Sequence, residues 1–134
     1  LANKILTFLD TSVLINAALG KDPARRFRAL SILSDARREF ASSFFLKLEL
    51  LPIPTFHKIT AQVRLYQHYF SNVSVWVDEA DFVQDSYPLA EQYGLGAMDA
   101  LHVAAAAHVN AEFVSAEWPT KPIYQAYSNA VSIY

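Results

Sequence analysis

Three carboxylates occupy positions where ordinary packing has little use for a charge. Asp10 ends the apolar run Ile5-Leu6-Thr7-Phe8-Leu9, and Glu49 interrupts Phe44-Phe45-Leu46-Lys47-Leu48-Glu49-Leu50-Leu51. Asp99 opens the small, apolar stretch Ala100-Leu101-His102-Val103-Ala104-Ala105-Ala106-Ala107. An acid on an apolar face must pair, take up a proton or bind a cation. Acids that converge repel one another until a cation neutralises them, and carboxylate oxygens suit the hard ions Mg²⁺ and Mn²⁺. Mg²⁺ keeps waters and substrate phosphate in its shell beside one or two carboxylates. Such an ion makes hydroxide accessible near neutral pH and stabilises charge on a phosphate under attack. The expected catalytic and metal-binding acids are therefore Asp10, Glu49 and Asp99. Each also has a purely structural reading. Asp10 could cap a helix, although Thr11 and Ser12 would cap equally well. Glu49 could pair with a distant Lys or Arg, and Asp99 could be a first-turn acid favoured by the helix dipole.

The elements that must position these acids are legible from pattern. Ile5–Leu9 reads as a buried strand, followed by a helix over Val13–Leu19 capped by Thr11 or Ser12 and closed by Gly20. Asp22-Pro23 starts a second helix, carrying Phe27, Leu30 and Leu33 on one face. Glu39–Ser42 predicts a second strand, and Ser43 a cap for a short helix that Pro52 and Pro54 break. Thr55–Phe70 reads as one long helix, and Val73–Val77 as a third strand. Glu79–Tyr93 is helical in pattern, with Pro88 a point of kinking and Gly94 a stop. Met98–Val109 predicts an Ala-rich helix, Glu112–Ser115 a fourth strand and Ala130–Ile133 a fifth.

Strands alternating with helices imply an α/β fold, a mostly parallel central sheet of four to five strands with helices on both faces. Ligands bind such sheets beyond the carboxyl ends of the strands. Asp10 ends the first strand and Glu117 follows the fourth by two residues. Glu117 is thus a candidate fourth metal ligand.

Bulk properties narrow the classes. At 134 residues, one domain over 1–134 is the economical reading, and 53% hydrophobic residues against 18% charged argue for a packed core over disorder. The absence of cysteine excludes disulfides, thiolate nucleophiles, Cys-bound zinc and iron–sulfur clusters. His57, His68, His102 and His108 form no zinc-ligand pattern; His102, three residues after Asp99, could face the site but reads as a packed or capping residue. A net charge of −2 supplies no global attraction for nucleic acid, so RNA binding must rest on metal and local cations. Arg25, Arg26, Arg28, Arg37, Arg38, Lys47, Lys58 and Arg64 read individually as solvated surface, with Lys121 a candidate substrate contact in a loop. Phe56, Tyr66, Tyr69 and Phe70 read as core or dimer interface. No signal-peptide pattern and no apolar run of bilayer length stand out, and the expected location is the cytoplasm with no membrane contact.

At four segments the sequence resembles the PIN domain family, most closely the VapC-type toxin ribonucleases. The segments are Phe8-Leu9-Asp10-Thr11-Ser12-Val13-Leu14-Ile15, Leu48-Glu49-Leu50, Gly96-Ala97-Met98-Asp99-Ala100-Leu101-His102-Val103-Ala104-Ala105-Ala106, and Phe113-Val114-Ser115-Ala116-Glu117. Each is weak alone; four in order make a fairly specific signal. The resemblance implies a PIN-like three-layer sandwich and an endoribonuclease dependent on Mg²⁺ or Mn²⁺. Asp10, Glu49 and Asp99 match the family acids. Ser12 matches a hydroxyl that supports the site, with Thr11 beside it. Glu117 falls where the family usually has Asp, in Ser115-Ala116-Glu117. The resemblance further implies a homodimer, an RNA substrate and a protein antitoxin encoded alongside, as in a type II toxin–antitoxin pair. The alternative is a catalytically inactive PIN-like module that binds RNA or protein. An aspartyl-phosphate hydrolase is disfavoured because Ser12 stands where its second Asp belongs, and a phospho-receiver because its acidic pair is missing.

Overall fold

In a computed structural model, which describes residues 3–134, the apolar run Ile5–Leu9 forms β1. Leu1 and Ala2, the start of the expected domain, lie outside the described residues. β2 (Arg38–Ser42), β3 (Val73–Trp76), β4 (Glu112–Ser115) and β5 (Ala130–Ser132) complete a five-stranded sheet ordered β3-β2-β1-β4-β5. Every pairing is parallel. β1 lies in the middle, and Thr7, Phe8 and Leu9 are fully buried, as a strand covered on both faces requires. Its register sets Leu9 beside Val114 and Phe8 beside Ala41. The amide of Asp10 continues the ladder to the Val114 carbonyl at 2.9 Å.

Helices cover both faces of the sheet. α1 (Thr11–Leu19) packs on α2 (Pro23–Leu33), on α3 (Phe44–Leu50) and on α5 (Thr60–Ser71), with α4 (Pro52–Phe56) between the last two in sequence. α8 (Ala97–His108) packs on β2 and β4, backed by α6 (Glu79–Phe82) and α7 (Ser86–Tyr93), and α9 (Ile123–Ala126) lies before β5. Ala100, Ala104, Ala105 and Ala106 of α8 are buried, and their small side chains let the helix approach closely. The core they join includes Phe8, Leu14, Leu46, Tyr66, Phe82, Val103 and Phe113. No helix among the described residues is long and apolar enough to cross a membrane.

Several elements differ from expectation for identifiable reasons. α1 begins one or two residues earlier than a Thr11 or Ser12 cap implies: Asp10 itself is the N-cap, in extended backbone, accepting from the Thr11 amide. Ser43 occupies a cap position as expected but makes no side-chain cap bond. α3 ends at Leu50, before Pro52 as expected, but Pro52 also opens a further short helix, because a first-turn residue has no intrahelical N–H bond to lose. The expected helix over Thr55–Phe70 is divided at Lys58, whose φ of 57° is left-handed and cannot continue a helix. The expected helix over Glu79–Tyr93 is divided by a 3-10 turn at Val83–Asp85, while Pro88 sits harmlessly in the first turn of α7. Gly94, at φ 68°, closes α7 in the left-handed conformation that glycine tolerates.

Candidate active site

The sheet order reverses direction between β1 and β4, the place in an open parallel sheet where adjacent connections diverge and leave a crevice. Asp10 emerges from β1 on one side of this switch point, and Ser115 and Glu117 emerge from β4 on the other. Asp10 is only 3% exposed, and its carboxylate is fully engaged. Oδ1 accepts from the Thr11 amide at 2.9 Å; Oδ2 accepts from the Ser12 hydroxyl at 2.7 Å and from the Ser115 hydroxyl at 2.9 Å. Ser12 Oγ in turn accepts from the Ala116 amide, and Ser115 Oγ from the Glu117 amide. Thus the two strand ends are stitched together through a single carboxylate.

Glu49 reaches the region from α3, and its expected wholly apolar surroundings are not what it meets. The helix ends at Leu50, so Pro52 is no helical neighbour, and Glu49 stands partly in solvent with Oε1 2.9 Å from His102 Nε2. That hydrogen bond holds the Glu49 carboxyl below its usual pKa, against desolvation and with smaller help from the His102 charge and the Thr11 hydroxyl. His102 is fully buried, and its Nδ1 has no partner. Facing a carboxylate oxygen, which can only accept, Nε2 carries a proton and donates to Glu49.

Asp99 is the third residue of α8, in the first turn behind Gly96. Its pKa is pushed up, first by partial withdrawal from water and then by the negative charge of Asp10; Glu117 and Glu49 add smaller pushes, and His102 opposes them. Asp10, Glu49, Asp99 and Glu117 therefore share one electrostatic field. None has a Lys or Arg within 4 Å among the described residues; the one ion-pair partner is His102 on Glu49. Nor, among the described residues, do three His, Asp or Glu side chains stand close enough together to enclose a metal ion. A small cleft of about 200 Å³ joins Gly96, Asp99, Glu117 and Lys121, which places the loop lysine at the rim of the acids. A larger apolar cleft of about 410 Å³, between Leu30, Phe40, Leu65 and Tyr69, lies away from them.

Residues 7–118 match the sequence profile of the PIN domain. The chain belongs to the PIN domain family. No curated protein sequence is similar enough to match it. Among solved structures, this PIN domain resembles a chain of VapBC2 from Rickettsia felis bound to a DNA fragment from their promoter, with a TM-score of 0.65 and 16% identity over 96% of this chain and 97% of that one. It also resembles a chain of a toxin–antitoxin complex from Klebsiella pneumoniae, with a TM-score of 0.71 and 19% identity over 96% and 98%. At such identities the likeness is one of fold, and the fold is the three-layer α/β arrangement that the sequence implies.

Two participants escaped sequence reasoning. Ser115 was visible only as the end of a strand; knowing that β4 lies beside β1 would have set its hydroxyl against Asp10. For His102 the sequence favours a packed or capping role over one facing the site; the residue is buried, and its Nε2 nonetheless lies on Glu49. Of the aromatics expected in the core or a dimer interface, Tyr66, Tyr69 and Phe70 are buried, whereas Phe56, at the end of α4, is 78% exposed.

Proposed function

We propose that this PIN domain is an endoribonuclease dependent on Mg²⁺ or Mn²⁺ and that it serves as the toxin of a toxin–antitoxin pair. The observation that carries the reading is Asp10, a buried carboxylate pinned by two serine hydroxyls at the switch point of the sheet, whose charge is felt by Asp99. A structure gains nothing from crowding acids without lysine or arginine unless a cation joins them.

The donor set suits such an ion. All four groups offer hard carboxylate oxygens, and the upward push on Asp99 is the opposite of what a bound divalent cation would cause. The lack of a closed three-residue cage fits an ion held by one or two carboxylates, Asp10 and Asp99 foremost, with water and substrate phosphate completing its shell. Bound there, the metal would supply an activated water and neutralise charge on the phosphate. The chain supplies the positioning. Ser12, Ser115 and the Thr11 amide leave the Asp10 carboxylate one orientation, and the His102 Nε2–H holds Glu49 ionised. Lys121 at the cleft rim would meet a phosphate of the bound strand.

The antitoxin assignment draws on the near-complete overlap with chains from two toxin–antitoxin complexes. It also draws on an apolar surface along α3 and α4, where Phe44, Leu48, Ile53 and Phe56 are all more than half exposed. Large apolar side chains left open on two successive helices suit a protein interface, for an antitoxin or for the second copy of a homodimer. The rival reading, a binding module without catalysis, takes its support from the engagement of Glu49 with His102. Cleavage separates the two. The purified protein should cut single-stranded RNA with Mn²⁺ and stop with EDTA, and Asp10→Asn should reduce the rate by about 100-fold or more. Cleavage that persists in EDTA, or is undiminished in Asp99→Asn, would contradict the assignment.

A further inference from the structure

Glu117 is followed by Trp118, whose Cα is only about 3.8 Å further along the chain. Among the four acids, Glu117 alone has an aromatic neighbour in sequence. One face of the Trp118 indole lies on the Tyr134 ring, with centroids 4.1 Å apart and planes 23° from parallel. The Arg25 guanidinium stands over the same Tyr134 ring, 3.8 Å from its centroid. Yet Trp118 remains 57% exposed, so the stack on Tyr134 leaves more than half of its surface to solvent.

The platform is fixed in place. The Glu117 carbonyl accepts from the Tyr124 hydroxyl and from the Ser132 hydroxyl, each at 2.8 Å. Ser132 Oγ also accepts from the Tyr134 amide, so one hydroxyl links the backbone of Glu117 to that of Tyr134. The Trp118 carbonyl accepts from the Lys121 amide, and prolines at 119 and 122 stiffen the intervening turn. Phe27, Phe56 and Tyr87 are more exposed than Trp118, but none follows a candidate acid.

We propose that the exposed indole of Trp118 is a stacking subsite for an unpaired nucleobase of the RNA, one that seats the strand so that a neighbouring phosphate meets the acids and Lys121. This rests on the nuclease reading above. Every base has a π face, so the subsite would select unpaired over paired RNA more than one base over another. Rigid support beneath the indole lowers the ordering cost of stacking a base upon it.

Trp118 fluorescence tests this directly. In Trp76→Phe, Trp118 is the sole tryptophan. Rapid mixing with a single-stranded RNA 12-mer in Mg²⁺ should quench its emission saturably before turnover. An abasic sugar-phosphate 12-mer and a duplex of the same length should quench far less. Equal quenching by the abasic strand would reduce Trp118 to a bystander of phosphate binding, and no quenching by RNA would leave its face for a protein partner; either overturns the proposal. In steady state, Trp118→Ala should raise KM roughly 5- to 100-fold with unaltered melting, and Trp118→Phe should retain most of the wild-type value. An unchanged KM in Trp118→Ala would also overturn it. Metal-dependent cleavage without quenching would spare the nuclease and remove the stacking subsite. Quenching without cleavage would do the reverse.

Discussion

At the residue scale, the site divides its work between an acid that is locked and acids that are strained. Asp10 accepts from three donors, whereas Asp99 is held close to like charges and away from part of its water. A raised carboxyl pKa in the folded state means that folding disfavours the ionised form. The resulting penalty is full above the folded pKa, shrinks as pH falls through it and vanishes below the unfolded value. Asp99→Asn should therefore melt higher than wild type in EDTA at pH 7, with the gap closing towards pH 4. Added Mn²⁺ should stabilise wild type more than the variant; a variant that melts lower in EDTA would contradict the electrostatic account. His102 makes a separable prediction. His102→Gln can place an amide N–H near the lost Nε2, and His102→Leu cannot. Loss of an outer-shell partner costs about 10- to 100-fold in metal affinity or activity. Titration of Mn²⁺ should show the Leu variant binding correspondingly more weakly and the Gln variant near wild type, and equal affinities would remove His102 from the site.

At the element scale, the pattern of the sequence carried the strands further than the helices. Most strands are short runs rich in apolar or β-branched residues, as at Ile5–Leu9, and although β2 begins with Arg38-Glu39, all five occur within a residue or two of where the sequence pattern puts them. Helix interruptions were harder to read because they depend on backbone conformation more than on side-chain periodicity. Lys58 in the left-handed region carries no residue-type signal, unlike Gly94. The acids were visible because each violates an apolar pattern. The contacts that organise them were not, since Ser12–Ser115 and Glu49–His102 join segments whose proximity depends on strand order and helix packing. α8 illustrates the dependence: its alanines allow the close approach that brings Asp99 and His102 to the crevice. Ala105→Leu, at a fully buried position, should cost about 1–3 kcal/mol in denaturant-measured stability. A variant of unchanged stability would show that the helix has more room than its packing indicates.

At the scale of the whole molecule, charge and topology explain why chemistry gathers at one edge. The net charge of −2 offers RNA no long-range attraction, so under the proposed function affinity would arise locally, from metal, from Lys121 and from the surface around Trp118. The β3-β2-β1-β4-β5 order delivers Asp10 and Glu117 to the same crevice from adjacent strands, and α3 and α8 bring Glu49 and Asp99 to its rim. At the other end of the sheet the charges are neutralised: Arg38 bonds Glu112 at 2.8 Å and Thr7 at 2.9 Å. That contrast makes divalent-ion binding the central physical claim. Isothermal titration of the metal-free protein with Mn²⁺ tests it most directly. Saturable binding in wild type, strongly weakened in both Asp10→Asn and Asp99→Asn, is the predicted result; no binding in wild type, or equal binding in all three proteins, would contradict it.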